Sequence, residues 1–159
     1  MPWAELETIY MIDGKIGRLC TRKYRGHQKG CPNYNHKKGC PPRLPKLNSV
    51  IRSSGPIYII WNVFLFREHV RRMESLHPEW SEYQLRCCLY WQGKARKELR
   101  VEVERFVMEL HPARHYIIWC PEAYGVNVTD TMVEIGYYLE WPPENIAYQV
   151  VLAGVKESG

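Results

Sequence analysis

An acid-free, cysteine-rich stretch, residues 20–45, is the feature that most constrains how this chain folds. It contains three cysteines and two histidines, is rich in Gly, Pro, Asn, Lys and Arg, and has no Asp or Glu. A segment of this composition cannot bury enough apolar surface to offset the conformational entropy that it loses on ordering. We therefore expect a metal ion or cluster, bound by Cys20, Cys31 and Cys40, to fix it.

The spacing of these cysteines favours a bulky cluster over a small tetrahedral ion. More than the two residues of a zinc-finger knuckle separate each cysteine from the next, and Cys31 and Cys40 are each followed by proline. Thiolates bind zinc and iron–sulfur clusters alike, so zinc stays open as an alternative. In that case His27 or His36 would complete a Cys3His site.

The charge of the chain is unevenly distributed. The formal net charge is +5, and no acid occurs in residues 14–67. This asymmetry predicts an anionic partner, such as RNA or a nucleotide, or the cluster itself. With Tyr24 and Tyr34 interleaved to stack a base, the candidate phosphate-binding residues are Arg22, Lys23, Arg25, Lys37, Lys38 and Arg43, in a run that also includes Lys15, Arg18, Lys29 and Lys46. A merely solvated basic surface is the alternative.

The length of 159 residues predicts a single domain, residues 1–159, that buries a core without disulfides. We expect a cytoplasmic protein with no membrane association, because the chain shows neither a signal-peptide pattern nor an apolar run of roughly 18 residues. In a reducing compartment, clustered cysteines more often bind metal than pair. Six tryptophans and eleven tyrosines leave room for a dimer interface.

The order of elements predicts an α/β fold: a single compact domain with a small central sheet, flanking helices and a cysteine-rich basic loop at residues 14–47. We expect a core strand at 57–66, where the apolar run is nearly continuous, and a capping box at Ser81–Gln84. The other expected strands are 6–12, 116–119 and 146–153, and the expected helices are 67–76, 82–89, 99–110 ended by His111-Pro112, and 128–135 ended by Gly136.

Three blocks of sequence carry a family resemblance. Residues 31–42 have the form Cys-x2-Tyr-x5-Cys-Pro-Pro, Glu104-Arg105-Phe106 and His115-Tyr116 follow, and residues 122–128 read Glu-Ala-Tyr-Gly-Val-Asn-Val. Together they resemble a domain-of-unknown-function family of predicted metal-binding, iron–sulfur proteins. That family usually carries a further, ferredoxin-like group of cysteines before the last block, where this chain has Cys120 alone. The chain therefore looks like a shortened relative.

The resemblance, the Cys-Pro steps and the basic surroundings together favour a [4Fe-4S] cluster, whose negative charge nearby Lys and Arg stabilise. Three thiolates would leave one iron open as a Lewis acid, whereas Cys120 as a fourth ligand would close it. The alternative interpretation of Cys120 is a buried thiol at the end of a strand, with no role as a ligand. Cys87 and Cys88, adjacent on an expected helix, are predicted to be core residues.

His36, Glu104 and Glu122 are the candidate catalytic residues. His36 lies beside the proposed cluster as a proton donor, and the two glutamates resemble acids of the family. The alternatives are an outward-facing loop histidine and salt bridges from the glutamates to the basic loop.

The leading functional hypothesis is an iron–sulfur protein with an open iron in a basic cleft. Its reaction would be desulfuration or sulfur transfer on a nucleobase of a tRNA-type substrate, similar in principle to thiouracil desulfidases. A second hypothesis is an electron-transfer protein with Cys120 as fourth ligand, and a third is a structural-zinc module that binds nucleic acid. Whether the protein is an enzyme stays open at this point.

Overall fold

The apolar run predicted to form the core strand lies in the middle of a four-stranded sheet. The structure, a computed structural model, describes residues 1–14, 16–110 and 115–158. Its strands are β1 (Trp3–Glu5), β2 (Ile57–Phe64), β3 (His115–Ile118) and β4 (Ala147–Val155). The order is β1-β2-β4-β3 and every neighbouring pair is antiparallel, with β2 and β4 paired from Ile57↔Gly154 to Phe64↔Ala147.

Five α-helices lie within the described residues: α1 (Leu47–Val50), α2 (Phe66–Leu76), α3 (Glu82–Arg86), α4 (Gln92–Glu109) and α5 (Val128–Glu134). Short 3-10 turns cover Arg18–Thr21, Cys88–Tyr90 and Pro121–Tyr124. No helix among these residues is long and apolar enough to cross a membrane.

The sheet has two covered faces because side chains alternate along a strand. Ile60 of β2 packs with Leu99, Val103 and Phe106 of α4 on one face. Ile59 and Trp61 point to the other face, where they pack with Val126 and with Val128 and Met132 of α5. The predicted α/β class, with a small sheet and flanking helices, is confirmed.

Several local predictions are also confirmed. Ser81 accepts from the Gln84 backbone N–H while the Gln84 side chain accepts from the Ser81 N–H, which is the predicted capping box. Gly136 has the left-handed φ of 88° expected just after α5. Helix α2 ends at Leu76 before His77-Pro78, as predicted. The predicted helix stop at His111-Pro112 lies outside the described residues.

The predicted strand at residues 6–12 is wrong, since β1 is Trp3–Glu5. After Leu6, whose N–H donates to the Ile57 carbonyl, the chain leaves the sheet and crosses to the Pro121–Tyr124 turn. There the Ile12 N–H donates to the Gly125 carbonyl at 2.7 Å, and Met11 forms a single bridge with Val126. The segment therefore connects the sheet to the basic loop.

The predicted helix at residues 82–89 is also too long. It ends at Arg86 because Cys87 adopts an extended backbone with ψ 128°. Cys87 is half-buried and Cys88 is exposed in the 3-10 turn that follows, so the prediction that both are core residues is wrong. Strand β3 lies at the sheet edge and is followed by Trp119, which is 51% exposed.

Glu140 offers a pH test of the turn that leads into β4. Its Oε2 accepts from the backbone N–H groups of Asn145 and Glu144, both at 2.7 Å, and its Oε1 accepts from the Asn145 amide at 3.0 Å. These bonds lower the pKa of Glu140 from 4.5 to about 2, and the bonds from Asn145 have the largest effect.

We expect Glu140 to stabilise the fold fully above pH 4.5 and to lose that contribution as the pH falls toward 2, because the unfolded chain takes up the proton first. Urea unfolding across this range should show a smaller pH dependence in Glu140→Gln than in the parent chain. The Glu144→Gln variant, which removes a neighbouring carboxylate, is the control. Identical pH profiles for the parent and Glu140→Gln would contradict this role.

Candidate metal centre

Backbone hydrogen bonds position the three cysteines of the basic loop. The Cys20 N–H donates to the Gly17 carbonyl at 2.9 Å, and the Cys31 N–H donates to the Cys20 carbonyl at 2.7 Å. The Cys40 N–H donates to the Lys37 carbonyl at 3.0 Å. The bond from Cys31 therefore returns the chain to Cys20, whereas the other two bonds close local turns at Cys20 and at Cys40.

Two glycines allow the close approaches on which this path depends. Gly17 has φ +85°, and a Cβ there would lie 2.8 Å from Tyr34 Cε2 and 3.0 Å from Pro41 Cβ. Gly30 also has φ +85°, and a Cβ there would overlap the Cys20 carbonyl oxygen. The positive φ and the contact both favour glycine at these two positions.

The thiols of Cys20, Cys31 and Cys40 are half-buried and form no disulfide. Burial raises the pKa of Cys20, and the charges of Cys31 and Cys40 raise it further. Cys20 therefore lies close enough to Cys31 and to Cys40 for their charges to disfavour its ionised form.

A fourth thiol and a carboxyl group lie at the margin of this group. Cys120 follows β3 closely, and its Sγ is 3.8 Å from Oε2 of Glu122. The residue as a whole is exposed, but atoms packed around its thiol partly exclude water. This desolvation, followed by the negative charge of Glu122, raises the pKa of Cys120 to about 11, and the charge of Cys40 makes a smaller contribution. The predicted sites Cys40, Cys120 and Glu122 are thus neighbours. The alternative interpretation of Cys120 as a buried thiol is wrong, because the residue is exposed.

The donors are not arranged around a single ion. Among residues 1–14, 16–110 and 115–158, no group of three His, Cys, Asp or Glu side chains has the geometry to hold one. Thiolates bind zinc and iron–sulfur clusters alike, so the identity of a bound metal stays a prediction.

The two loop histidines differ in their surroundings. His27 is half-buried and its ring lies 4.6 Å from the ring of Tyr24, to which its backbone is also bridged. His36 is exposed in the turn between Cys31 and Cys40. The structure therefore leaves His36 free to face a bound molecule, whereas His27 is engaged in packing.

Glu104 is not brought to the cysteines. It is exposed on α4, and α4 packs on the sheet face formed by Ile60 and Val151. The basic loop instead meets the other face, where Ile16 contacts Gly125 next to buried Val126. No ion pair within the described residues joins Glu104 to the loop, and its predicted role as a base near the cluster stays a prediction.

The basic side chains of the loop are not neutralised by acids of the described part of the chain. The ion pairs found there join His77–Glu79, Arg86–Glu82, Lys94–Glu98 and Arg105–Glu102, and none involves the loop. The predicted phosphate-binding residues Arg22, Lys23, Arg25, Lys37, Lys38 and Arg43 are all exposed. Of these, Arg25 lies 3.9 Å above the ring of Tyr83. Lys15 lies outside the described residues.

Sequence reasoning missed an apolar cavity of about 390 Å³ between the ends of the loop and the sheet. Ile16 and Lys46 come from the two ends of the loop, and Tyr124 comes from the turn that follows Cys120. The remaining lining is mostly apolar: Ile9, Met11, Leu47, Asn48, Ile51, Ser53 and Ile57. Residues this scattered in sequence show no periodic signal, so only the fold reveals the cavity.

Comparison with family models, curated proteins and solved structures gave no match for this chain. The family resemblance of the three sequence blocks therefore stays a prediction. The side chains of the loop and their surroundings are the basis for assigning a function.

The overlap at Gly30 predicts how sensitive the loop is to one methyl group. We expect Gly30→Ala to lower the free energy of unfolding by roughly 2–5 kcal/mol, combining about 1–2 kcal/mol for the left-handed backbone with about 1–3 kcal/mol for overpacking. Urea unfolding measures the change.

Gly26→Ala is the matched control. Gly26 has φ +81°, and a Cβ there would meet nothing within 4 Å. It should therefore cost only the backbone strain of about 1–2 kcal/mol. Equal losses in the two variants would show that the contact between Gly30 and Cys20 does not hold the loop.

Proposed function

We propose that this protein binds a [4Fe-4S] cluster through Cys20, Cys31 and Cys40 in the reducing cytoplasm and removes sulfur from a thiolated nucleobase in RNA. The observation that supports this most is the group of three half-buried thiols, two of which raise the pKa of the third. They lie in a segment with almost no apolar side chains of its own, so a bound group is the available source of order.

The cluster, when bound by three thiolates, would supply an iron that acts as a Lewis acid toward a substrate oxygen or sulfur. The reaction that we propose is hydrolytic. Water supplies the oxygen that replaces the thiocarbonyl sulfur, the sulfur leaves as hydrogen sulfide, and no electrons are exchanged.

The surrounding residues have separate roles in this proposal. Glu122, whose Oε2 lies 3.8 Å from Cys120 Sγ, would accept a proton from the attacking water. His36, an exposed residue between Cys31 and Cys40 in the sequence, would return a proton to the departing sulfur. Lys37, Lys38 and the loop arginines would bind the phosphates.

The apolar cavity beside the loop supports a nucleobase substrate. Its volume of about 390 Å³ lies in the range typical of small-molecule sites. Lys46 is positioned to contact an anionic group of a ligand in this cavity, and Tyr124 supplies an aromatic ring. A base drawn out of a single strand could thus be buried while its backbone stays on the basic surface.

Electron transfer through a closed cluster is a second candidate, and one observation favours it. The charge of Cys40 contributes to the raised pKa of Cys120, so the two thiols lie near one another. With Cys120 as fourth ligand the cluster would have no open iron, and the basic surface would dock an acidic partner.

Metal analysis of cysteine variants separates these functions. After anaerobic purification we expect iron and sulfide in equal amounts, and we expect Cys20→Ser, Cys31→Ser and Cys40→Ser each to lose both. The Cys120→Ala variant should keep its cluster, because three thiolates suffice in the open-iron proposal. Cys87→Ala, at a half-buried cysteine outside the proposed ligand set, is the control and should match the parent.

Loss of the cluster in Cys120→Ala would favour the electron-transfer candidate instead. Zinc without sulfide in the parent protein would contradict both and leave the structural-zinc module that binds nucleic acid.

RNA binding can be tested through its salt dependence. For a single-stranded RNA, the slope of log affinity against log salt should become less steep by roughly 0.7 for each phosphate contact removed. Lys37→Gln with Lys38→Gln should therefore flatten the slope by roughly 1.4 if each binds one phosphate. Fluorescence anisotropy at several salt concentrations measures it.

The matched control removes two exposed cations from α4, Lys97→Gln with Arg100→Gln. These lie on α4 and outside the basic loop, so the slope should stay that of the parent. If both double variants change it equally, the binding is nonspecific attraction to net charge and the basic loop is not the RNA site.

A further inference from the structure

A second site is indicated by a buried histidine far from the cysteines. His69 on α2 is only 4% exposed, and neither of its ring nitrogens has a hydrogen-bond partner among the described residues. Buried polar groups are nearly always paired, so an imidazole with both nitrogens unpaired indicates a missing partner.

The protein around His69 does not supply that partner. The rings of Phe64 and Phe66 lie 5.8 and 6.2 Å from the imidazole. The backbone of Leu85 is close enough to affect the pKa of His69, yet it lies outside hydrogen-bond geometry. Burial first, and then the positive charges of Arg72 and Lys94, lower the pKa of His69, so the ring is neutral and retains one N–H donor.

His69 lines a cavity of about 560 Å³, a volume within the range of small-molecule sites. The other lining residues are Val63, Phe64, Leu65, Glu68, Arg72, Lys94 and Glu98. The cavity lies beside α2 and the beginning of α4. None of these described lining residues is a cysteine or belongs to the basic loop.

The charges in this cavity are unequally engaged. Glu98 is held on both oxygens, since Oε1 lies 4.0 Å from Lys94 Nζ and Oε2 accepts from Asn62 Nδ2 at 3.3 Å. Arg72 has no carboxylate within 4.0 Å in the part of the chain that the structure describes. An unpaired guanidinium next to an unpaired imidazole N–H is suited to a carboxylate, which accepts two parallel bonds from arginine.

The rim of the cavity is apolar. Val63 and Leu65 are 44% and 49% exposed, and Phe64, which lies between them in the sequence, also lines the cavity. This surface would cover an apolar body attached to the carboxylate. Glu68 and Glu98 would repel a second negative charge, which disfavours phosphate dianions and nucleic acid.

We infer that the cavity beside His69 binds a small organic monoacid, with Arg72 and the His69 N–H on its carboxylate and Val63 and Leu65 against its apolar body. None of the residues assigned to this site belongs to the cysteine loop.

Titration with hexanoate, followed through the NMR resonances of the His69 imidazole, tests the inference. We expect a saturable shift with hexanoate and none with hexylammonium, which has the same body and the opposite charge, or with inorganic phosphate. Arg72→Gln should weaken hexanoate binding by about tenfold or more, because it removes a charge-assisted hydrogen bond. Arg72 is exposed, so this variant is expected to fold.

Arg71→Gln is the matched control, because it removes the same charge from the neighbouring, exposed position of α2 outside the cavity. It should bind hexanoate as the parent does. The inference is overturned if hexanoate produces no saturable shift, if phosphate or hexylammonium binds as well, or if the two arginine variants behave alike.

Discussion

The close approach of Cys20 to Cys31 and Cys40 is the constraint on which the proposed loop architecture depends. Cys20, Cys31 and Cys40 lie in a segment with no acid and little apolar surface, so neither a core nor ion pairs can stabilise their approach. Backbone turns and the contact at Gly30 bring them together, and a cationic group bound by the thiolates would hold them there. The sheet provides the rigid base, because β3 ends next to Cys120 and the Pro121–Tyr124 turn.

The two faces of the sheet are covered by different elements. One face carries the apolar cavity beside Tyr124 and the helix α5. The other carries α4, and the cavity that contains His69 lies near the end of β2. This division follows from the alternation of β2, in which Ile59 and Trp61 point one way and Ile60 the other.

Features that local physics decides were predicted best from the sequence. The apolar run of β2, the stripe of Leu99, Val103 and Phe106, and the capping box at Ser81 each depend on neighbours within a few turns of chain. The position of β1 was missed because pairing of Trp3 with Ile60 depends on a partner far along the chain. For the same reason no sequence pattern indicated the His69 cavity, and only a family resemblance related Cys120 to Cys40. Local sequence also does not predict on which face of the sheet an exposed acidic residue lies.

Amide hydrogen exchange tests most directly whether a bound group orders the loop. The exchange rates are compared in anaerobically purified protein before and after a chelator removes that group. We predict that the N–H groups of Cys31 and Cys40, which are hydrogen-bonded within the loop, are protected at first and exchange at least about tenfold faster afterwards. The amides of β2 and β4 should not change. Equal protection of the loop in both states would contradict the proposal, because it would show that the loop orders itself without a bound group.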